Sequence, residues 1–373
     1  MVRDAKKADM GRLKILAVGD PHFKANNKRS TDIFHKDILD KVAKAKPDLV
    51  VILGDTLHEF EQVLTPVQSR AIRFIRDVCS MVRVILLIGN HDLCNNQVCF
   101  SEDHGFLALK QWRNCTVVDH PIRETVKGFK LLFTPFIPTG MFKEKLADYL
   151  TPDLHCIFSH QEYRGANMHS ANDGKDILLS EEGDSWPKDS TFTVSGHIHK
   201  YHRPQENIVY AGTAYPIGFG EEGMKSVSLL RLYPGNMGSK IKDTESNLSF
   251  VYRTKDVVIT HRRLKTEFLA KKTLFVTCND KSTYENLDLL ETAEYKMKIT
   301  GTPAEIKAFL KQKCVKEWKK RGVMITKNVI MREGERSAGP EAITDSFEKV
   351  LYKKINGDPI LEKKYEHYFG KLS

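Results

Sequence analysis

The sequence has few cysteines and no cysteine motif. Its seven Cys residues include no C-x-x-C pair, so neither a zinc knuckle nor a redox pair of that spacing is predicted. The odd number also argues against a framework built only from disulfides. We therefore expect a reducing, intracellular compartment.

Long apolar runs are also absent. No stretch approaches the roughly 18 apolar residues that a membrane-spanning helix needs, and the segment MVRDAKKADMGRLK has no apolar core of a signal peptide. We expect a soluble protein of the cytoplasm or nucleus that does not associate with membranes.

The positive charge is unevenly distributed along the 373 residues. The net charge is +10, and residues 261–373 hold 24 Lys and Arg against 16 Asp and Glu, which leaves only +2 for the first 260 residues. A basic C-terminal third favours a polyanion partner such as nucleic acid, although a solvated basic surface would have the same composition. The length predicts two domains.

Strand-like and helix-like patterns alternate over residues 13–232. Apolar spacing predicts helices over 32–46, 66–81 and 103–112, and the alternation predicts a largely parallel or mixed sheet with covered faces. A turn-rich segment, PGNMGS at 234–239, interrupts this pattern.

A small α+β module is predicted after this break. Its strands are expected at 248–252, 257–260, 273–278, 296–300 and 323–331, and its helices near 284–290 and over 303–318. The tail from residue 338 contains two amphipathic pieces, 342–353 and 359–369. Packing on the module and docking on a partner explain their apolar residues equally well.

Polar residues follow five apolar runs, namely LKILAVGD, PDLVVILGD, RVILLIGN, LHCIFSH and STFTVSGH. Each run has the length and β-branched content of a buried strand. Five strands that end in this way at one rim of a sheet would form a cup of oxygen and nitrogen donors, which suit Mn²⁺, Fe or Zn²⁺. The residues of these clusters are Asp20, His22, Asp55, His58, Asn90, His91, Asp92, His160, His197 and His199.

A two-metal cup of this composition favours phosphoester hydrolysis. Two cations about 3.5–4 Å apart lower the pKa of a shared water and hold the phosphate oxygens. A carboxylate is expected between the ions because they repel each other, and a nearby His can donate a proton or stabilise charge at the leaving oxygen.

At these clusters, residues 13–232 resemble the calcineurin-like metallophosphoesterase superfamily. The resemblance implies a four-layer α/β-β/α sandwich with a small α+β capping domain. It implies that one metal is held by Asp20, His22, Asp55 and His199. It implies that the second is held by Asp55, Asn90, His160 and His197, so that Asp55 bridges the ions. His91 would then act at the phosphate, and Asp92 would orient His91.

The sequence around Asp55, the predicted bridging residue, resembles one branch of the superfamily. GDTLHE and GNHD differ from the GDxVDRG and GNHE of protein Ser/Thr phosphatases, whereas the SbcD-type DNA repair nucleases read GDLFH. His58 stands at that family's His position, three residues after Asp55, and the resemblance implies that it helps to handle the DNA phosphate.

A second segment, YAGTAYPIGFGE at 210–221, resembles the GSxxxxSFGE of the same nucleases. Gly212, Phe219, Gly220 and Glu221 match, whereas Thr213 and Gly218 replace Ser. The short length of this chain resembles that of phage or large-virus members of the nuclease branch. A viral protein of this kind would act in a host cell. Glu162 and Arg164 lie between the last two clusters and are interpreted as part of a surface loop, with contact to the substrate as the alternative.

The resemblance implies a DNA exonuclease or endonuclease with two divalent metal ions, Mn²⁺ first and Fe, Zn²⁺ or Mg²⁺ as alternatives. Its partners would be DNA and an SbcC-type, SMC-like ATPase in recombination, repair or replication. The resemblance also implies a homodimer contact through the helices at 66–81 and 103–112, whose apolar faces are equally explained by packing on the sheet. The predicted domains are the nuclease at 1–235, the cap at 236–337 and a docking tail at 338–373. Two alternatives remain: a small-molecule or cyclic-nucleotide phosphodiesterase of the same fold, and an inactive interaction scaffold.

Overall fold

The computed structural model describes residues 11–60, 62–168, 178–221, 223–285 and 287–330. The predicted tail at 338–373 lies outside this range. Among the described residues, no helix combines the length and apolar character needed to cross a membrane. They form two compact units: the first runs to Thr273 and includes Leu289–Glu294, and the second comprises Leu274–Asp288 and the residues from Tyr295 onward.

The first unit contains two large sheets, and each has a run of parallel strands. The first sheet has the order β14-β15-β13-β1-β2-β3-β4, in which β1 to β4 are parallel. Its strands are β1 Leu13–Val18, β2 Leu49–Ile52, β3 Val84–Leu87, β4 Cys115–Val118, β13 Ser226–Pro234, β14 Ser249–Arg253 and β15 Val257–Lys265.

The second sheet has the order β11-β12-β10-β7-β6-β5. Its strands are β5 Ile122–Val126, β6 Phe129–Phe133, β7 Cys156–Ser159, β10 Thr193–Ser195, β11 His202–Gln205 and β12 Ile208–Tyr210. A separate hairpin pairs β8 Asn167–Met168 with β9 Leu178–Leu179.

Successive side chains along each strand of the first sheet point to opposite faces, so they enter two separate cores. Leu16 and Val18 of β1 join the core under α1 (Lys28–Ala45) and α2 (Thr65–Cys79). Ile15 and Ala17 face the opposite way, into the core between the sheets. A third core covers the outer face of the second sheet and includes Phe142 of the short α3, Phe142–Lys145. This mixed α/β sandwich is the predicted fold class.

The helices of the first unit follow the predicted apolar spacing. Phe34, Ile38 and Val42 of α1 are buried, and the helix ends at Lys46 in the left-handed conformation before Pro47. The apolar face of α2 is buried within its own chain. The helix predicted at 103–112 is wrong in extent, because only a 3-10 segment at Leu107–Gln111 forms.

Strands β14 and β15 pair with β13, so the first sheet continues beyond residue 235. The predicted division into nuclease, cap and tail by function stays a prediction.

A three-stranded sheet and two helices follow, with the strand order β16-β17-β18. The strands are β16 Ala270–Thr277, β17 Ala293–Gly301 and β18 Met324–Val329, and the helices are α4 Pro303–Phe309 and α5 Lys313–Lys320. The helix predicted near 284–290 is wrong, because none of the described residues there is helical.

The helix predicted over 303–318 is interrupted after Phe309. The Phe309 and Trp318 rings lie 6.2 Å apart, and both residues are buried. Nine residues of one continuous helix would turn these side chains apart by about 180°. The break lets both rings enter the same small core.

Candidate metal centre

The predicted donors lie at the carboxyl ends of strands from both sheets. Asp20, Asp55 and Asn90 follow β1, β2 and β3 of the first sheet, and His160 and His197 follow β7 and β10 of the second. The expectation of a single sheet rim is therefore wrong, because the two sheets contribute together. Parallel strands within each sheet bring their ends to one edge, and the face-to-face packing brings the two edges together.

Backbone strain is concentrated at these strand ends. Asp20, His22, Asp55 and His197 have φ values of 32°, 44°, 45° and 77°, in the left-handed region that non-glycine residues seldom occupy. Such conformations cost on the order of 1–3 kcal/mol each and persist where the surroundings enforce them. The fold therefore holds these side chains in fixed directions at the expense of local stability.

Close packing around the cup requires a glycine before Asp55. Gly54 has a φ of 98°, and an added Cβ would collide with the His160 ring and with the backbone of Gly89. The small residue in the GD cluster lets the second sheet's His approach the first sheet's Asp.

Asp55 lies between two sets of donors. Its Oδ1 is 3.2 Å from His160 Nε2, and its Oδ2 is 3.6 Å from His22 Nε2. Burial raises the pKa of the Asp55 carboxyl, but the neighbouring His160 and His22 outweigh it and hold the pKa well below its usual range. The buried carboxylate thus presents one oxygen to each side of the cup, as the predicted bridging role requires.

The first set of donors is Asp55, Asn90, His160 and His197. His160 donates from Nδ1 to the Leu53 carbonyl at 2.7 Å, which fixes the ring with Nε2 directed into the cup. That nitrogen lies 2.9 Å from Asn90 Oδ1, which is also 3.1 Å from His197 Nδ1. Donor atoms of Asp55, His160 and His197 lie within 4.8 Å of one another, a spacing that suits a metal ion.

The second set is Asp20, His22, Asp55 and His199. The Nε2 atoms of His22 and His199 face each other at 2.9 Å. Asp20 is fully buried; its Oδ1 accepts from the His197 amide at 3.2 Å, whereas its Oδ2 has no hydrogen-bond partner. A buried carboxylate oxygen without a donor is costly.

The donor set fits divalent cations. Two buried carboxylates and several ring nitrogens converge, and a cation at each set would neutralise both carboxylates and use the Asp20 oxygen that has no hydrogen-bond partner. The assignment of individual ligands stays a prediction.

Two predicted catalytic histidines lie at the edge of the cup. His58 Nδ1 is 3.2 Å from His22 Nδ1, and the His58 and His91 rings are parallel with centroids 5.6 Å apart. His91 donates from Nδ1 to the His58 carbonyl at 2.7 Å, so Nε2 is the ring nitrogen left for its predicted contact with the phosphate. Phe60 stacks on His91 with a centroid distance of 4.3 Å, a contact that the sequence did not indicate.

The orientation of His91 by Asp92 stays a prediction, and the hydrogen bonds of the two side chains go to other groups. Asp92 is buried, and its carboxylate accepts backbone N–H bonds from Leu57 at 2.8 Å, Gly89 at 3.0 Å and Thr56 at 3.2 Å. Asp92 therefore joins the loops after β2 and β3, and it positions His91 only through the backbone.

Two acidic residues near the donors had no predicted role at the metals. Glu221 Oε1 lies 3.7 Å from His199 Nδ1, and Glu162 Oε2 lies 3.8 Å from His197 Nε2. The side chain of Glu221 is 5% exposed, and it accepts bonds from Gly218 N at 2.8 Å and Lys225 Nζ at 2.6 Å. Its match to the GSxxxxSFGE segment was the only sequence signal for it.

The family model described as calcineurin-like phosphoesterase matches residues 13–225 of this chain. "Putative phosphoesterase 244L" of Invertebrate iridescent virus 6 is 37% identical over 224 residues, which cover 59% of this chain and 77% of that protein. "Putative phosphoesterase 078R" of Invertebrate iridescent virus 3 is 30% identical over 361 residues, which cover 94% of this chain and 95% of that protein.

Among solved structures, a phosphatase from Mycoplasma pneumoniae is 12% identical with a TM-score of 0.32, and the match covers 69% of this chain and 95% of that one. A likeness at this level adds nothing to the match with the family model.

Proposed function

The chain belongs to the calcineurin-like phosphoesterase family, and from that premise we propose that it is a Mn²⁺-dependent nuclease that hydrolyses DNA phosphodiester bonds. Phosphoesterases of this family use divalent metals, and the donor set described above fits them. When bound, such ions would supply an activated water and neutralise charge on the phosphate. The family fixes the reaction as phosphoester hydrolysis, and the proposal adds that the substrate is DNA.

The position of His58 carries this proposal. Its imidazole lies against His22 and parallel to His91 at an interplanar angle of 2°. Burial, with smaller contributions from Lys24 and His91, lowers the pKa of His58 to about 4. A neutral imidazole at this edge can hydrogen-bond a phosphate oxygen, which a small-molecule diesterase of the same fold does not require.

The basic surface of α4 and α5 supports a DNA substrate. Six lysines on and between these helices are exposed, whereas Ile306, Phe309, Val315 and Trp318 are buried. Such lysines contact phosphates without reading sequence, and they make affinity strongly dependent on salt. The exposed lysines are Lys307, Lys311, Lys313, Lys316, Lys319 and Lys320.

A single assay separates the alternatives. We expect the purified protein with Mn²⁺ to degrade labelled linear DNA, and EDTA to stop the reaction. Hydrolysis of bis-p-nitrophenyl phosphate with every DNA substrate intact, both alone and with an SMC-like ATPase, would reject the nuclease and favour the small-molecule diesterase. Failure to bind metal would instead favour the scaffold.

We also propose an SMC-like ATPase partner for recombination, repair or replication, with docking through residues 338–373. Both relatives come from viruses, which supports the predicted viral origin. Deletion of 338–373 is expected to abolish copurification with the ATPase and to leave metal content unchanged. Unchanged copurification would reject this docking segment.

A further inference from the structure

A cavity of about 720 Å³ lies in the first unit beside the predicted catalytic histidines. It is bounded by the loop after β2, the start of α2 and the loop at 94–96. The volume is within the range of small-molecule sites, about 300–1,000 Å³. Neither the metal ligands nor the basic helices account for it.

The lining of the cavity is apolar at its base and carries amides elsewhere, together with one Lys and one Glu of opposite charge. Phe23, Leu57 and Val67 are buried members of the core under α1 and α2. Gln62 and Asn95 also line the cavity and supply uncharged donors and acceptors. Such a lining suits a flat, uncharged heterocycle with polar edges better than a second phosphate.

Two residues connect the cavity to the catalytic edge. His58 lines the cavity and also lies 3.2 Å from His22 of the cup. Phe60 lines the cavity and also stacks on His91. A group in the cavity would therefore lie close enough to belong to the same molecule as a phosphate held at the metals.

We propose that this cavity binds the nucleobase next to the scissile phosphate, an inference that rests on the proposed nuclease function. Aromatic and apolar walls hold the faces of a base, and side-chain amides pair with its edge. A base inside a duplex cannot enter such a cavity without leaving its stack. The substrate class is therefore DNA with an unpaired nucleotide at the cleavage position.

The first experiment uses the unaltered protein. Single-stranded oligonucleotides with one abasic site, placed on either side of a defined cleavage position, are compared with the intact oligonucleotide. We expect removal of the base on one side to lower kcat/KM at that bond about tenfold, the effect of losing one stacked base. If both abasic oligonucleotides are cleaved as fast as the intact oligonucleotide, the inference is overturned.

The second experiment fills the cavity with Val63→Trp, because Val63 lines it and packs against the core under α1 and α2. The matched control is Met81→Trp on the exposed surface after α2, where the side chain is 46% exposed. We expect Val63→Trp to lower kcat/KM about tenfold on the oligonucleotide. On methyl p-nitrophenyl phosphate, which has no base, it should stay within about twofold of wild type.

The outcomes distinguish the two proposals. Oligonucleotide cleavage that is unaffected by both Val63→Trp and the abasic sites would overturn the base site and leave the nuclease function standing. Hydrolysis of methyl p-nitrophenyl phosphate without cleavage of any DNA would overturn the nuclease function, and with it the base site.

Discussion

Asp92 Oδ1 accepts a hydrogen bond of 2.8 Å from the backbone N–H of Leu57, 35 residues earlier in the chain. The same carboxylate also accepts from Gly89 and Thr56. It therefore fixes the loop that carries Asp55 and His58 against the loop that carries Asn90 and His91. This buried carboxylate thus holds the two loops in register.

Asp92→Asn is expected to destabilise the fold. The amide nitrogen would face backbone N–H groups, and a buried donor left without an acceptor costs about 1–3 kcal/mol. Urea unfolding measures the change, with the exposed Asp32→Asn as control, for which about 0.5 kcal/mol or less is expected. Equal stability of the two variants would contradict the role of Asp92 as a loop clamp.

His91→Ala is expected to lower kcat on bis-p-nitrophenyl phosphate about 10²- to 10⁴-fold while the bound metal is retained, because the proposed role of His91 is that of an acid or charge stabiliser at the substrate. Metal content is measured by inductively coupled plasma mass spectrometry. His120→Ala serves as control, since that side chain is 53% exposed and is not among the predicted site residues. A parallel loss of metal and activity would instead make His91 a ligand.

Glu221→Gln is expected to weaken Mn²⁺ binding about 10- to 100-fold, the usual effect of removing a carboxylate that orients a metal-binding His. Burial opposes ionisation of Glu221, but His199 and Lys225 outweigh it and hold the pKa of its carboxyl well below the usual range. Isothermal titration of the metal-free protein measures the affinity. Glu245→Gln, which alters an exposed pair with Arg203, is the control, and equal affinities would remove Glu221 from the metal site.

The burial of His261 makes the free energy of unfolding depend on pH. Burial, with the charges of Arg263 and Arg203, lowers the pKa of this His to about 3. Between about pH 3 and about pH 6.5, His261 is protonated in the unfolded chain and neutral in the folded protein. Its contribution to the free energy of unfolding is therefore complete above about pH 6.5 and is lost as the pH falls. From pH 7 to pH 5 the loss is about 2 kcal/mol.

His261→Phe removes this proton site. Its ring would take the place of the imidazole, which stacks on Phe250 and Tyr201. The lost bond to Ser228 is a nearly pH-independent cost and cancels in the comparison. Urea unfolding at both pH values should show a smaller loss in the variant, and identical losses would show that His261 does not titrate as proposed.

The second unit shows where local patterns mislead. The apolar residues from 303 to 318 fit one helix, but Phe309 and Trp318 meet only because the chain breaks between α4 and α5. The stretch near 284–290 has helical spacing, yet Leu289–Glu294 belongs to the first unit. In both places the packing of side chains outweighs helix propensity, which contributes only tenths of a kcal/mol per residue.

The strand runs and the donor residues that follow them were readable from the sequence alone. Both signals are local, because a buried strand needs a short apolar run and its end is marked by a small residue and a polar one. Tertiary structure decided which sheet each strand joined, and therefore which donors meet at Asp55. It also placed Asp92 against Leu57, Glu221 near His199 and Phe60 on His91. These contacts depend on how two sheets pack, and residues far apart in the chain carry no local signal of that packing.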